Sequence, residues 1–225
     1  MRVALGGDDQ LQAALEPVDG VIPVDDSETA DLVVTVGEEP LRESAARHEE
    51  RPVLSVGLAA AWSCAAESLP EVLGRVGDRP LPTVEAAPLV VSADGTQSTA
   101  AFDATLVTSE PARISEYAVS VAGRPHATFR ADGVVVATPL GSHSYARAAG
   151  GPQLAFGTGL AVVPIAPFAT IADTWVVEPP VSVSVEREDA VTVLADDARI
   201  ATGRAELTVD IDTGQPLSLV DRRRL

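Results

Sequence analysis

Apolar residues along this chain gather in short runs broken by glycine, proline or acidic clusters. Leu32 to Val36 and Val53 to Val56 are short valine-rich runs, each followed at once by a glycine (Gly37 and Gly57). Such runs suit strands buried on both faces. Arg2 to Leu5 predicts a first strand, broken by Gly6-Gly7. Between the strands, Gln10 to Leu15 and Leu41 to Glu49 have helical composition and stop near Pro17 and Pro52. Strand alternating with helix predicts an α/β domain with a parallel sheet over residues 1–85. Ligands in such sheets sit beyond the carboxyl ends of strands, so the turn after Val36 is the expected site there.

The pattern then changes. Leu69 to Pro88 is rich in proline, glycine and arginine and reads as a crossing into a second domain. Short β-type runs follow at Leu89 to Ser92, Ser98 to Val107, Tyr117 to Val121, Ala127 to Phe129 and Leu160 to Val163. More come at Trp175 to Val177, Val181 to Glu186, Ala190 to Leu194 and Ala205 to Ile211, with hairpin turns at Asp94-Gly95 and Gly123. Residues 86–225 are therefore expected to form an all-β domain, with the C-terminal tail packing back on the first. Within it, Asp132 to Pro152 reads DGVVVATPLGSHSYARAAGGP. A buried strand (Val134 to Ala137) leads through a Thr-Pro-Leu-Gly turn and small hydroxyl residues to a helix start. Strand, tight turn and helix N-terminus together place backbone N–H groups where a nucleotide can rest.

Composition narrows the setting. Formal net charge is −17, all 16 basic residues are arginine, and lysine is absent. That balance suits a high-salt cytoplasm, and an acidic protein of a GC-rich genome reads the same way. So much negative charge argues against nonspecific nucleic-acid or anionic-membrane binding. The single cysteine, Cys64, excludes an intrachain disulfide framework and fits a reducing cytosol. No run is long and apolar enough to span a bilayer, and the expected location is cytoplasmic. One cysteine and three separated histidines give no ligand spacing for zinc, haem or iron–sulfur clusters. No G-x-S-x-G elbow supports a serine hydrolase.

The Asp132 to Pro152 stretch resembles the signature segment of the NAD kinases, roughly DG, an apolar run, TPTGSTAYS and SAGGP. Asp132, Gly133, Thr138, Pro139, Gly141, Ser142, Tyr145 and Ala149 to Pro152 match it in order. The resemblance covers most of Leu89 to Leu225. It implies an NAD kinase-like fold, phosphorylation of the adenosine 2′-hydroxyl of NAD, ATP with Mg2+ as donor, and a homo-oligomer assembled through the β domain. By the same resemblance the nucleotide-binding residues are Gly37, Asp103, Asp132, His143, Ser144 and Tyr145, and Asp196 stands where the family has its DGQ aspartate. Asp103 replaces the asparagine that holds the NAD ribose; it accepts hydrogen bonds but cannot donate them. Phe168 stands where the family's PIxPH has histidine.

One motif departs. The family's GGDGT loop follows a strand, and Gly37-Glu38-Glu39-Pro40-Leu41 takes its place. Glu38 adds a side chain and negative charge where triphosphate would lie, and Pro40 removes a backbone donor. Glu39 is the residue left to act as the catalytic carboxylate. Two expectations therefore stand side by side: an NAD kinase, or a homologue that binds NAD or NADP and senses or regulates without transferring phosphate. Read without the family, Asp103 and Asp196 are also ordinary turn or surface acids, His143 a capping or core histidine, and Tyr145 a residue packed under its loop.

Overall fold

The computed structural model describes residues 1–6, 18–76, 80–110, 113–170, 172–187 and 190–225. The chain divides into two units, Met1–Ala86 with Pro216–Leu225, and Ala87–Gln215.

In the first unit, β1 (Arg2–Gly6), β2 (Ile22–Val24), β3 (Leu32–Val36), β4 (Val53–Val56) and β5 (Thr83–Ala86) join the last strand of the chain, β18 (Leu217–Val220). The sheet order is β2-β1-β3-β4-β18-β5. Neighbours are parallel from β2 through to β18, and β5 closes the edge antiparallel to β18. The expected parallel sheet thus carries an antiparallel edge, supplied by a strand in the stretch read as a crossing. Leu32, Val34, Leu54 and Val56 bury their side chains in one core with Leu69 and Leu73.

Two helices depart from the sequence reading. Helix α1 (Glu38–Ala46) begins three residues before Leu41. Glu38 and Glu39 in its first turn oppose the positive end of the helix dipole, and Pro40 sits where its missing N–H costs little. Helix α2 (Leu69–Val76) lies inside the supposed crossing. Leu69, Leu73 and Val76 repeat at one-turn spacing and are all buried, a stripe masked in the sequence by Pro70 and Gly74. The helix expected at Gln10 to Leu15 and the second glycine of Gly6-Gly7 lie outside the described residues.

The second unit holds two antiparallel six-stranded sheets. The first contains β6 (Leu89–Ala93), β7 (Thr96–Ala100), β9 (Ser115–Val121), β10 (Arg124–Ala131), β14 (Val181–Val185) and β17 (Thr208–Thr213), in the order β10-β9-β14-β17-β6-β7. The second contains β8 (Asp103–Thr108), β11 (Gly133–Ala137), β12 (Leu160–Ile165), β13 (Trp175–Val177), β15 (Val191–Ala195) and β16 (Ala198–Gly203), in the order β13-β12-β11-β8-β15-β16. Valines and leucines from both sheets share one core. Alternating burial along β6, β9, β14 and β15 is what one buried face produces.

Strand β11 is different, because all five of its residues are buried. Val134 and Val136 point into the shared core, whereas Val135 and Ala137 lie under Ala146 and Leu154 on the other side. The chain after β11 folds back over the sheet, which explains an unbroken valine run in an antiparallel sheet. The run read as one strand from Ser98 to Val107 is two, β7 and β8, in different sheets. The break falls at Ala101-Phe102.

Candidate functional site

The bend at Ala101-Phe102 and the loop after β11 are built against each other. The Thr138 backbone N–H donates to the Phe102 carbonyl at 2.9 Å, and its hydroxyl donates to the Ala101 carbonyl at 2.8 Å. The same hydroxyl accepts the Gly141 N–H at 3.1 Å. Thr138 and Ser142 are fully buried. Ser142 Oγ donates to the Pro139 carbonyl at 2.9 Å and accepts the Leu154 N–H at 3.0 Å, fastening both ends of the loop. A β-carbon on Gly141 would collide with the Phe102 carbonyl oxygen and carbon. One on Gly151 would meet Val163 Cγ2 at 2.6 Å and the Ala146 carbonyl oxygen at 2.8 Å. Glycine is required here by space, not by conformation.

The loop presents three of the nominated residues. His143 is half-buried, and Ser144 and Tyr145 are exposed. His143 closes a short 3-10 turn, Gly141–His143, and Tyr145 opens helix α3 (Tyr145–Ala148). The Gln153 amide nitrogen lies 3.1 Å from His143 Nδ1. In the neutral tautomer with its proton on Nε2, the ring accepts that bond. Burial, and then the nearby Arg147 guanidinium, hold the His143 pKa below its ordinary value.

Asp103 opens β8 and is buried, with Thr105 Oγ1 donating to its Oδ1 at 2.8 Å. Its strand pairs with β11 so that Asp103 stands beside Ala137, at the loop end. Asp132 is elsewhere. It precedes β11, so the length of that strand separates it from Thr138, on the order of 20 Å at roughly 3.4 Å per residue. There its backbone N–H donates to the Ile165 carbonyl and its carbonyl accepts the Thr108 N–H. The fold therefore brings Asp103, His143, Ser144 and Tyr145 to one end of β11 and leaves Asp132 at the other.

Gly37 and Glu39 belong to the first unit. Gly37 has φ 81° and ψ −170°, a region open essentially to glycine alone, and it caps α1 with no atom within 4 Å of a hypothetical β-carbon. Glu39 is exposed in the first turn, and Glu38 is paired with Arg42 at 2.7 Å. Beside this helix a cavity of about 230 Å³ lies at the carboxyl ends of β1 and β3, where the sheet order reverses. Pro40 lines it, while Gly37 and Glu39 do not. Its walls carry Asp25, Asp26, Glu43 and Glu49, and Thr35 Oγ1 there is buried without a hydrogen-bond partner.

Sequence reading missed two features. A cavity of about 490 Å³ in the second unit is lined by Phe129, Arg130 and Trp175 and by Phe168, itself 71% exposed, and contains none of the nominated residues. The second is the number of bonds made by Asp196, whose carboxylate accepts the N–H groups of Ala101, Phe102 and Asp103 at 2.9, 2.8 and 3.1 Å. Only its place in the family motif singled it out. Among the described residues, no group of three or more His, Cys, Asp or Glu side chains is disposed to hold a metal ion, and no helix is long and apolar enough to cross a membrane.

A fold of this kind, with a glycine-bearing loop packed on a bend of the β unit, has counterparts. Residues 103–214 match the ATP-NAD kinase C-terminal domain. An NAD kinase of Methanocorpusculum labreanum is 46% identical over 67 residues, which are 29% of this chain and 25% of that protein. One from Methanopyrus kandleri is 31% identical over 188 residues, 80% of this chain and 64% of that protein. These matches thus span from a quarter to just under two-thirds of the relatives' length. Among solved structures, an NAD kinase from Archaeoglobus fulgidus in complex with ATP superposes with a TM-score of 0.77, at 21% identity over 100% of this chain and 95% of that one. Yeast NADH kinase complexed with NADH gives 0.72, at 16% identity over 89% of this chain and 65% of that one. The chain belongs to the NAD kinase family.

Proposed function

We propose that the loop end of β11, with Asp103, His143, Ser144 and Tyr145, binds an NAD-type dinucleotide, and that the chain transfers a phosphoryl group to the adenosine 2′-hydroxyl of NAD to give NADP. The observation that carries the binding reading is the mutual construction of loop and bend: a buried threonine bonded to the carbonyls of the bend, and Gly141 without room for a β-carbon beside Phe102, set the loop next to Asp103. The buried Asp103 carboxylate accepts from ribose hydroxyls. The exposed Ser144 and Tyr145 supply hydroxyls at the rim. In the transfer, a bond forms between the 2′-oxygen and the γ-phosphorus of ATP as the bond to the bridging oxygen breaks, releasing ADP. The hydroxyl proton passes to a base, the role that the family resemblance gives to Glu39. Magnesium enters as part of the ATP complex, where it neutralises phosphate charge.

A second reading, binding without transfer, is favoured by the first unit. Glu38 and Glu39 occupy the helix start where backbone N–H groups would otherwise meet phosphate, and Pro40 withdraws one donor. Four carboxylates, against the single guanidinium of Arg47, wall the cavity beside it. The two readings part in a paired measurement at high salt: NAD affinity by calorimetry, and NADP formation with ATP and magnesium. The kinase reading expects both, with Glu39→Gln abolishing NADP formation while NAD affinity holds. Binding without turnover leaves the second reading. No affinity for NAD or NADP removes both.

A further inference from the structure

We propose that Asp196 is a positioning residue of the nucleotide site, holding the Ala101-Phe102 bend so that the Asp103 carboxylate stands where ribose meets it. The inference rests on the dinucleotide-binding reading above.

The bend is a place where the backbone cannot satisfy itself. The chain leaves β7 in one sheet and enters β8 in the other within two residues. Three consecutive N–H groups, those of Ala101, Phe102 and Asp103, converge on one side. Such a row forms a concavity that attracts an anion. The Asp196 carboxylate fills it, with Oδ1 shared by Phe102 and Asp103 and Oδ2 taken by Ala101. The Asp196 N–H donates in return to the Asp103 carbonyl at 2.8 Å. Thr138 takes up the other side of the bend, the carbonyls of Ala101 and Phe102.

Asp196 reaches this position from the two-residue turn between β15 and β16, at φ 54°. Aspartate tolerates that left-handed conformation better than most residues. Bonds to a carboxylate are stronger than neutral ones, and here all three orphaned donors are met by one side chain. An amide in its place turns an NH2 group toward an N–H and loses at least one of the three bonds. With the clamp weakened, Asp103 shifts against the loop.

The test is a double-mutant cycle on NAD affinity, measured by calorimetry at high salt with wild type, D196N, D103A and the double variant. A residue that acts through Asp103 shows non-additivity. D196N, losing at least one bond to a charged group, is expected to weaken NAD binding about tenfold, yet less than about twofold in the D103A background. Amide hydrogen exchange at Phe102 and Asp103 should quicken in D196N and recover in D196E. Equal costs in both backgrounds, or no cost at all, overturn the proposal and leave Asp196 a structural anchor. Wild type without NAD affinity overturns the binding reading itself, and the positioning role falls with it. Should D196N fail to fold, T138V loosens the same bend from its carbonyl side and enters the same cycle with the same criterion.

Discussion

Strand β3 leads through Gly37 into α1, and strand β11 leads through Thr138 to Ser144 into α3. Both are valine-rich buried strands followed by a glycine-bearing turn and a helix start. Their glycines answer different constraints. Gly37 faces open space and is held to glycine by its backbone angles. Gly141 makes no such conformational demand and is held by the Phe102 carbonyl against it. A glycine of the first kind keeps a turn's shape and leaves its surroundings free to change, as Glu38, Glu39 and Pro40 show. A glycine of the second kind ties the turn to a neighbouring segment, and the residues around it stay close to the family pattern.

That contrast breaks most readily under substitution. Gly141→Ala has the largest expected effect: the new methyl must displace buried backbone, costing about 3–4 kcal/mol in denaturant unfolding and abolishing NAD binding. Gly37→Ala is expected to cost about 1–2 kcal/mol, the strain of its backbone angles alone. It should leave NAD affinity in the second unit unchanged. Equal costs for the two variants would sink the distinction between space and conformation.

Acid titration sharpens the same comparison with a smaller effect. In the second unit the fold favours neutral His143, so the folded protein binds that proton less readily than the unfolded chain. Stability is unaffected above about pH 6.5 and falls as pH drops from there through the folded pKa. In the first unit the Asp221 carboxylate is bonded to the Arg223 guanidinium, which lowers its pKa. Its contribution is present above about pH 4 and is lost only as pH falls through the lowered value. Between about pH 7 and about 5, the urea midpoint of wild type should fall relative to that of H143Q, while D221N should parallel wild type. A parallel pair for H143Q would show that His143 does not titrate differently on folding.

Much of the fold was legible because burial on both faces leaves a plain mark. Leu32–Val36, Val53–Val56 and Trp175–Val177 are strands with the expected bounds. Helix α2 was illegible because Pro70 and Gly74 are loop-formers by propensity, and the packing of Leu69, Leu73 and Val76 overrides them. The break at Ala101-Phe102 was hidden for another reason. Nothing in a run of small β-formers says that it changes sheet; an acid almost a hundred positions later supplies the missing bonds. At the site, local sequence placed the Thr138 to Tyr145 loop. It could not separate Asp132 from that loop, because residues adjacent in a motif stand at opposite ends of one strand. Phe168 likewise matched a motif position but stands at the rim of a different cavity.

Strand β18 has a consequence for the order in which the chain can fold. The second unit is one uninterrupted stretch, Ala87–Gln215, inserted into the first. Its sheets pair wholly within that stretch. The first unit's sheet has a gap between β4 and β5 that only Leu217–Val220 fills. The β unit can pair all of its strands without β18, whereas the sheet that begins the sequence cannot be completed until the whole inserted stretch has been passed.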